Sequence, residues 1–455
     1  MKTSKLVLVS LATLMSAGIL TACPANDGRT NVVFWHTFGK ANQELLDTMI
    51  RDFEKENPDI KITASSQGGY PEIYQKLSSA IAAGDVPAMA TCYADHVADY
   101  LKSNSVVDIS QYLQSDTLGF APEEGSHEEG GTTVYGAQDY VKGYWDEGVS
   151  YQKEGCYSVP YAKSTEVMFY NKDFFDRHRL TVPTTWDEMW ALTKKITEEI
   201  WADKDFAGDD KDYYALGYDS DSNMYITLSE QMGIPYTTNE NITKESDHYK
   251  FNNDQAKAMV QTLKGYYQKH YFITKGSMAQ SSYTSTMFTQ GRIVMTIGST
   301  GGTTYNDSQS FNVGIAPVPG VDATHNQIIS QGPSICFLRR VSQAQKEAAW
   351  KFYKFITKTT NSAYYAMDTG YDPVRISSYT CDYYREKMEE DGIIQDVFKV
   401  TSTLQDRYFS SPSFVGSANA RTQVGGIFAT YFTGAKTLDE AFNEAYRNCV
   451  PATEQ

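Results

Sequence analysis

The chain has 455 residues, 41% hydrophobic and 21% charged, a length sufficient for two or three hydrophobic cores. Its 56 acidic residues against 40 Lys and Arg give a formal charge of −16. A surface of that sign repels phosphate backbones and anionic lipid, which sets aside nucleic acid and anionic membrane surfaces as partners. The six cysteines are widely and irregularly spaced without a CxxC, so no metal-site or dithiol motif is present.

The N-terminus reads as an export segment. Lys2 and Lys5 lead a charge-free run from Leu6 to Leu20, too short for a membrane-spanning helix of roughly 20 apolar residues. Leu20-Thr21-Ala22-Cys23 resembles the bacterial lipobox, in which small residues fit a peptidase cleft and the thiol carries diacylglycerol. Residues 1–22 are therefore expected to be a lipoprotein signal, Cys23 the lipid attachment site and 23–31 a polar tether. Loss of Lys2 and Lys5 takes the charge from −16 to −18. The protein is expected outside the cytoplasm, held to the cell membrane by lipid alone. Cys23 aside, Cys92, Cys156, Cys336, Cys381 and Cys449 remain; a Cys381–Cys449 disulfide is open to the chain, though spacing does not set connectivity.

Val32 to His36 reads as a buried strand, and Leu45, Met49 and Phe53 at four-residue spacing as a helix face that Asn57-Pro58 stops. Ile60 to Ile62 is a strand, Pro71 to Ala83 a helix closed by Gly84, Ala88 to Tyr93 a strand, and Val97 to Lys102 a helix. This alternation predicts an α/β lobe with a largely parallel sheet. Residues 115–155, rich in Gly and Glu, read as loops and short helices. Thr185 and Glu188 have capping-box spacing at the start of a helix. Ile293 to Ile297 and Val313 to Pro317 read as strands, and helical patterns dominate from Ala344 onward.

Seven segments then carry a resemblance: Phe34-Trp35-His36, Phe53 to Lys61, Ala80 to Pro87, Val167 to Asp173, Thr185 to Glu188, Phe288 to Met295 and Thr369 to Arg375. Their order is similar to that of extracellular solute-binding proteins serving ABC importers, in the carbohydrate-binding branch, which also contains a glycerol-3-phosphate binder. The resemblance implies a two-lobed periplasmic-binding-protein-like α/β fold that closes on ligand at a hinge. Mapped onto this chain, it puts 32–164 plus 292–332 in the N-terminal lobe and 165–291 plus 333–455 in the C-terminal lobe, with crossings near Ser164 and Gly291. It further implies a sugar ligand, permease subunits as partners, a monomeric binder, and no cofactor or metal.

Sugar recognition needs flat rings against C–H faces and convergent polar groups for hydroxyls. The candidates are Trp35 and His36 at the end of the first strand, Tyr70 in the turn Gly68-Gly69-Tyr70-Pro71, and Tyr93 and Asp95 after the next strand. Asp95 could accept paired hydroxyls or cap the following helix. Tyr161 and Ser164 bracket the first crossing. Ser299 and Thr300 sit in the glycine-bounded stretch 298–302, Gly332 lies in a similar turn, and Tyr371 occupies a motif position that often faces ligand. Arg375 could bind an anion or a sugar oxygen, or pair with surface acids.

Two departures weigh against a phosphate ligand. Ala94 stands where the glycerol-3-phosphate subgroup has Glu, and the stretch 415–419 lacks the Arg that subgroup carries before a Gly-Asn. A phosphate needs charge-assisted donors, so a neutral sugar or oligosaccharide is favoured, with a glycerol phosphate or its diester as the alternative. A surface glycoside hydrolase would need two carboxylates about 5–10 Å apart, which 56 acidic residues do not exclude. No HExxH, GKS/T loop, GxSxG or GxGxxG stands out, and no catalysis is expected.

Overall fold

Strand Thr30–His36 buries Val32, Phe34 and His36 on one side and turns Trp35 to the other, the period-two alternation of extended backbone. The computed structural model describes residues 28–278 and 283–454. The expected signal segment 1–22, the lipidation site Cys23 and tether residues 24–27 lie outside the described residues. Thr30 and Asn31, expected in the tether, open the first strand.

Local chemistry sets the helix ends. Helix Lys40–Glu56 buries Leu46, Met49, Ile50 and Phe53, and the Asn57 side chain caps it by donating to the Phe53 carbonyl at 2.9 Å. Helix Tyr70–Ala83 ends at Gly84 in the left-handed conformation (φ 81°). The Thr185–Glu188 capping box forms as its spacing predicts.

The strands sort into two five-stranded sheets. In the first, the order is Ile60–Ser66, Thr30–His36, Met89–Cys92, Ser334–Phe337 and Val159–Pro160, parallel among the early strands and antiparallel where Ser334–Phe337 inserts. One face packs Phe34, Phe53, Ile62 and Phe352; the other packs Leu77, Ala90, Val97 and Cys336. In the second, the order is Val313–Pro317, Glu166–Asn171, Ile293–Ser299, Tyr214–Tyr218 and Phe272–Thr274. Met168, Leu216, Met295 and Phe428 fill one side, and Phe169, Phe288 and Ile293 the other. The molecule is thus a two-lobed mixed α/β fold.

The discontinuous pieces are shared differently from expectation. Ile293–Ser299 and Val313–Pro317 both lie beside Glu166–Asn171 in the second sheet, so 292–332 belongs with the second lobe. Ser334–Phe337 and helices Gln343–Ile356 and Thr359–Thr369 join the first-lobe core. Helices Ser417–Phe432 and Leu438–Cys449 return to the second. The physical reason is pairing: a strand's backbone hydrogen bonds are met by whichever neighbours flank it, and period-two patterns do not say which sheet supplies them.

The crossings follow. Ser164 and Gln331 exchange backbone hydrogen bonds of 3.0 and 2.7 Å where the two connecting strands run past each other. Gly291, expected at a crossing, instead closes helix Thr284–Thr289 inside the second lobe, with φ 72° and its N–H on the Phe288 carbonyl. At the true crossing the buried Lys163 ammonium reaches Glu147 at 2.7 Å and the Gly332 carbonyl at 3.0 Å, while the Ser330 hydroxyl donates to Glu147. Cys381 and Cys449 are not bonded: both are free thiols, packed in separate clusters. Among the described residues no helix is long and apolar enough to cross a membrane.

Candidate functional site

A cavity of about 690 Å³ opens between the lobes, within the roughly 300–1,000 Å³ typical of small-molecule sites. Its first-lobe wall is three tyrosines. Tyr70 is presented by the glycine turn that starts its helix, with Gly68 at φ 99°. Tyr93 is the extended residue that precedes helix Ala94–Lys102. Tyr371 follows Gly370, whose left-handed φ of 81° ends helix Thr359–Thr369. The Tyr70 and Tyr93 rings lie 4.1 Å apart at 30°. Burial, and then the neighbouring phenols, raise the hydroxyl pKa of Tyr70 well above its usual value, so these groups are neutral donors and acceptors.

The hinge supplies the floor. The Ser299 hydroxyl donates to Ser164 at 3.1 Å across the crossing and accepts the Gly301 N–H at 3.2 Å. Gly332 has φ 77°, and a Cβ there would lie 2.1 Å from the Ala162 carbonyl oxygen, so only glycine fits. A Cβ on Gly301 would fall 2.8 Å from the Tyr371 ring; the bare backbone is what lets the lobes approach.

The second lobe contributes charge. Glu166, 1% exposed, accepts from Tyr218 at 2.6 Å and from Asn223 at 2.8 Å. Asn223 in turn accepts from the Arg421 guanidinium, which lines the cavity. Burial pushes the Glu166 carboxyl up to about 7, against the pull of these donors and of Arg421. Asp219 accepts the Thr284 N–H and hydroxyl, each at 2.7 Å. Lys275 sits 3.5 Å from the Tyr283 ring centroid. Tyr283 and Tyr305 border the cavity while 56% and 75% exposed.

Of the residues predicted from sequence, Tyr70, Tyr93, Ser164, Ser299, Gly332 and Tyr371 line this cavity. Others do not, each for a local reason. The strand's alternation puts His36 in the first-lobe core, 0% exposed, stacked on Phe38 at 5.0 Å and accepting the Phe38 N–H, with burial lowering its pKa to about 4. Trp35 packs on the opposite sheet face. Tyr161 packs on Phe38 and Tyr365. Thr300 is buried, its hydroxyl accepting the Thr165 N–H while Gly301 and Gly302 beside it reach the cavity. Arg375 is fully buried, paired with Asp139 at 3.2 Å, bonded to the Thr357 carbonyl and stacked over Tyr140, so it serves neither ligand nor surface acid. Asp95 lies in a small adjoining polar recess with Glu147, Lys163 and Arg421; burial raises its pKa, and Arg421 opposes this.

Glu166, Asp219, Asn223, Lys275, Tyr283, Tyr305 and Arg421 escaped the sequence reading. Asp219 had a usable signal, since it follows strand Tyr214–Tyr218 as Tyr93 follows Met89–Cys92. Arg421 stands within the second turn of helix Ser417–Phe432, two residues after the Asn419 at which the stretch compared for a cation ended. Together the lining groups can hold a polar, hydroxylated small molecule through neutral hydroxyls, side-chain amides, backbone N–H groups and ionisable side chains of both signs. Among the described residues no group of three His, Cys, Asp or Glu is placed to bind a metal.

The sn-glycerol-3-phosphate-binding periplasmic proteins UgpB of Escherichia coli K12 and Shigella flexneri are each 26% identical over 379 residues, 79% of this chain and 77% of theirs. Among solved structures, UgpB of Mycobacterium tuberculosis in complex with glycerophosphocholine superposes with a TM-score of 0.72 at 18% identity, covering 93% of this chain and 98% of that one. The ABC substrate-binding protein Lmo0181 of Listeria monocytogenes in complex with cycloalternan also gives 0.72, at 19% identity, 92% and 98%. The GacH receptor of Streptomyces glaucescens, solved in unliganded form and in complex with acarbose, gives 0.69 at 17% identity, 92% and 97%. At these identities the structures show a shared fold. Residues 48–394 match the family model described as bacterial extracellular solute-binding protein, and the chain belongs to that family.

Proposed function

We propose that this chain captures a sugar or short oligosaccharide between its lobes and delivers it to the permease of an ABC importer. The observation that carries the reading is the cavity itself, with tyrosine faces on one wall and hydroxyl, amide and glycine N–H groups on the floor and opposite wall. Flat rings suit the C–H faces of a pyranose, and the polar groups suit its hydroxyls. Relatives of the same fold are named for acarbose and cycloalternan complexes. The protein works as a monomer, tethered by lipid at Cys23 so that it stays within reach of the permease, and it hydrolyses nothing itself.

Arg421 favours a second reading, a glycerol phosphate or glycerophosphodiester ligand. It supplies the cation whose absence argued against phosphate, and the curated relatives are named for sn-glycerol 3-phosphate. Against it, two carboxyl groups, Glu166 and Asp219, share the lining with Arg421 and Lys275, which suits a neutral polyol better than a dianion.

The test is a thermal-shift panel of glucose, maltose, maltotriose, cellobiose, raffinose, sn-glycerol 3-phosphate and glycerophosphocholine, with chromatography of the sugars afterwards. Ligand at 100 times its Kd adds about 2.7 kcal/mol, a rise of several degrees. A rise with a saccharide and no products is the expected result. A rise with the phosphate compounds alone establishes the second reading, and oligosaccharide cleavage would remove the binder.

A further inference from the structure

Five cysteines fall among the described residues, all of them thiols, and they are unevenly distributed. Cys156, Cys381 and Cys449 belong to three separate hydrophobic clusters, whereas Cys92 and Cys336 share one, packed with Leu77, Val97 and Leu338. Both are fully buried. Cys92 is the last residue of strand Met89–Cys92, and Cys336 lies in its antiparallel neighbour Ser334–Phe337. The register sets Cys92 opposite Ser334 and Cys336 opposite Ala90, so the two are diagonal neighbours whose side chains leave the same face of the sheet. The two thiols meet there, within hydrogen-bond reach of each other. A single buried cysteine is a small hydrophobe; two in contact on paired strands are also a dithiol.

The family is one of extracellular proteins, and outside the cytoplasm disulfides form and persist. The geometry points to a disulfide between Cys92 and Cys336, formed as the chain folds after export. Burial sets the timing. In the native protein desolvation holds the Cys92 thiol well above its usual pKa, and a thiol kept protonated is a poor nucleophile. The exchange therefore belongs to the folding chain, before the cluster closes over the paired strands. One cysteine thiolate attacks a disulfide oxidant, small molecule or protein, and releases one of its thiols. The other cysteine thiolate then attacks the mixed disulfide and releases the second. The protein sulfurs lose two electrons and two protons, and the oxidant's disulfide becomes two thiols. The bond closes a loop of about 240 residues, long enough for restriction of the unfolded chain to stabilise the fold. It also ties the strand that leads to Tyr93 to the strand that follows Gly332, two residues of the cavity lining.

The experiment is mass spectrometry on the mature chain, exported through its own signal, quenched in acid and alkylated with iodoacetamide in urea without reductant. Alkylation of Cys156, Cys381 and Cys449 alone is expected, with one peptide pair joined through Cys92 and Cys336 that separates on reduction and gains two hydrogens. Alkylation of all the described cysteines, or a link between any other two, would overturn the assignment. A second measurement compares melting of the same protein refolded from urea with glutathione disulfide and with glutathione thiol. The oxidised form should melt several degrees higher, and the gap should vanish in Cys92→Ala while persisting in Cys381→Ala. A gap that survives Cys92→Ala would overturn the pairing, and no gap in the wild type would overturn the stabilising role. Ligand binding plays no part in either measurement, so both outcomes are independent of the saccharide reading.

Discussion

The two walls of the cavity are built on opposite principles. The first-lobe wall is three tyrosines, Tyr70 packed on Tyr93 and Tyr371 backed by Tyr365, each placed by a turn or a helix start next to its own strand or helix. The second-lobe wall is a relay from Tyr218 to Glu166 to Asn223 to Arg421, drawn from three separate stretches of chain. The first offers a stiff, neutral surface that works by area; the second offers a charge whose direction depends on every member of the relay. A mutation in the first wall should cost contact area, and one in the second should cost electrostatics and orientation together.

The largest expected effect is therefore Arg421→Ala. It removes the cavity's oriented guanidinium and leaves Asn223 and the recessed Asp95 without that partner, a loss of about 2–4 kcal/mol or roughly 30- to 1,000-fold in affinity by titration calorimetry. Arg421→Lys should recover only part, because the ammonium lacks the planar fork that meets the amide. Near-normal binding by the alanine variant would mean that the second wall contributes shape alone.

Next in size is a pH effect. Burial raises the carboxyl of Glu166 from 4.5 to about 7, and that of Asp372, beneath Tyr144, from 3.8 to about 7. A group whose folded pKa is raised binds its proton more tightly in the native state. Its stabilising contribution is thus full below the unfolded value and is lost as pH rises through the folded one. Stability of the unliganded protein should fall between about pH 4.5 and 7, by up to about 3 kcal/mol for Glu166. Urea melts at pH 5, 6 and 7 should show a flatter decline in Glu166→Gln; an unchanged slope in that variant would assign the fall to Asp372 and other groups.

Tyr93→Ala should weaken ligand binding about tenfold, through one lost ring contact and a loosened Tyr70, while Tyr93→Phe stays within about twofold. If the two variants behave alike, the hydroxyl rather than the ring carries the first wall.

The smallest effect comes from a contact between the walls' supports. Asp99, in first-lobe helix Ala94–Lys102, accepts from Tyr74 at 2.8 Å and from the Gly416 N–H at 3.0 Å, at the N-terminus of the second-lobe helix that carries Arg421. A carboxylate there meets the positive end of the helix dipole. Asp99→Ala should cost about 1 kcal/mol of the closed arrangement, read as roughly fivefold faster ligand release in stopped flow, with the association rate little changed. A slower release would show that this contact does not hold the lobes together.

Local patterns were enough to name the elements and the tyrosine wall of the site. Hydrophobic period, Asn57-Pro58, Gly84 and the Thr185–Glu188 box are decided within a few residues of themselves, so helices and strands were legible. Tyr70, Tyr93 and Tyr371 were legible for the same reason, since a residue at a strand end or beside a glycine turn is presented whatever the rest of the chain does. His36 shows the limit: it too stands at a strand end, and there the pleat turns it into the core. Arg375 shows another, since no nearby residue announces that Asp139, far off in sequence, will neutralise it in the interior.

Which strand joins which sheet, where the chain crosses, and that Arg421 faces Asn223 across the whole span of the second lobe were decided only by tertiary structure. Those facts rest on pairings between residues far apart in the chain, and backbone hydrogen bonds and ion pairs carry no trace of their partner in the local sequence. The sequence by itself determined the parts and their ends; the packing of the two lobes decided which side chains share one cavity.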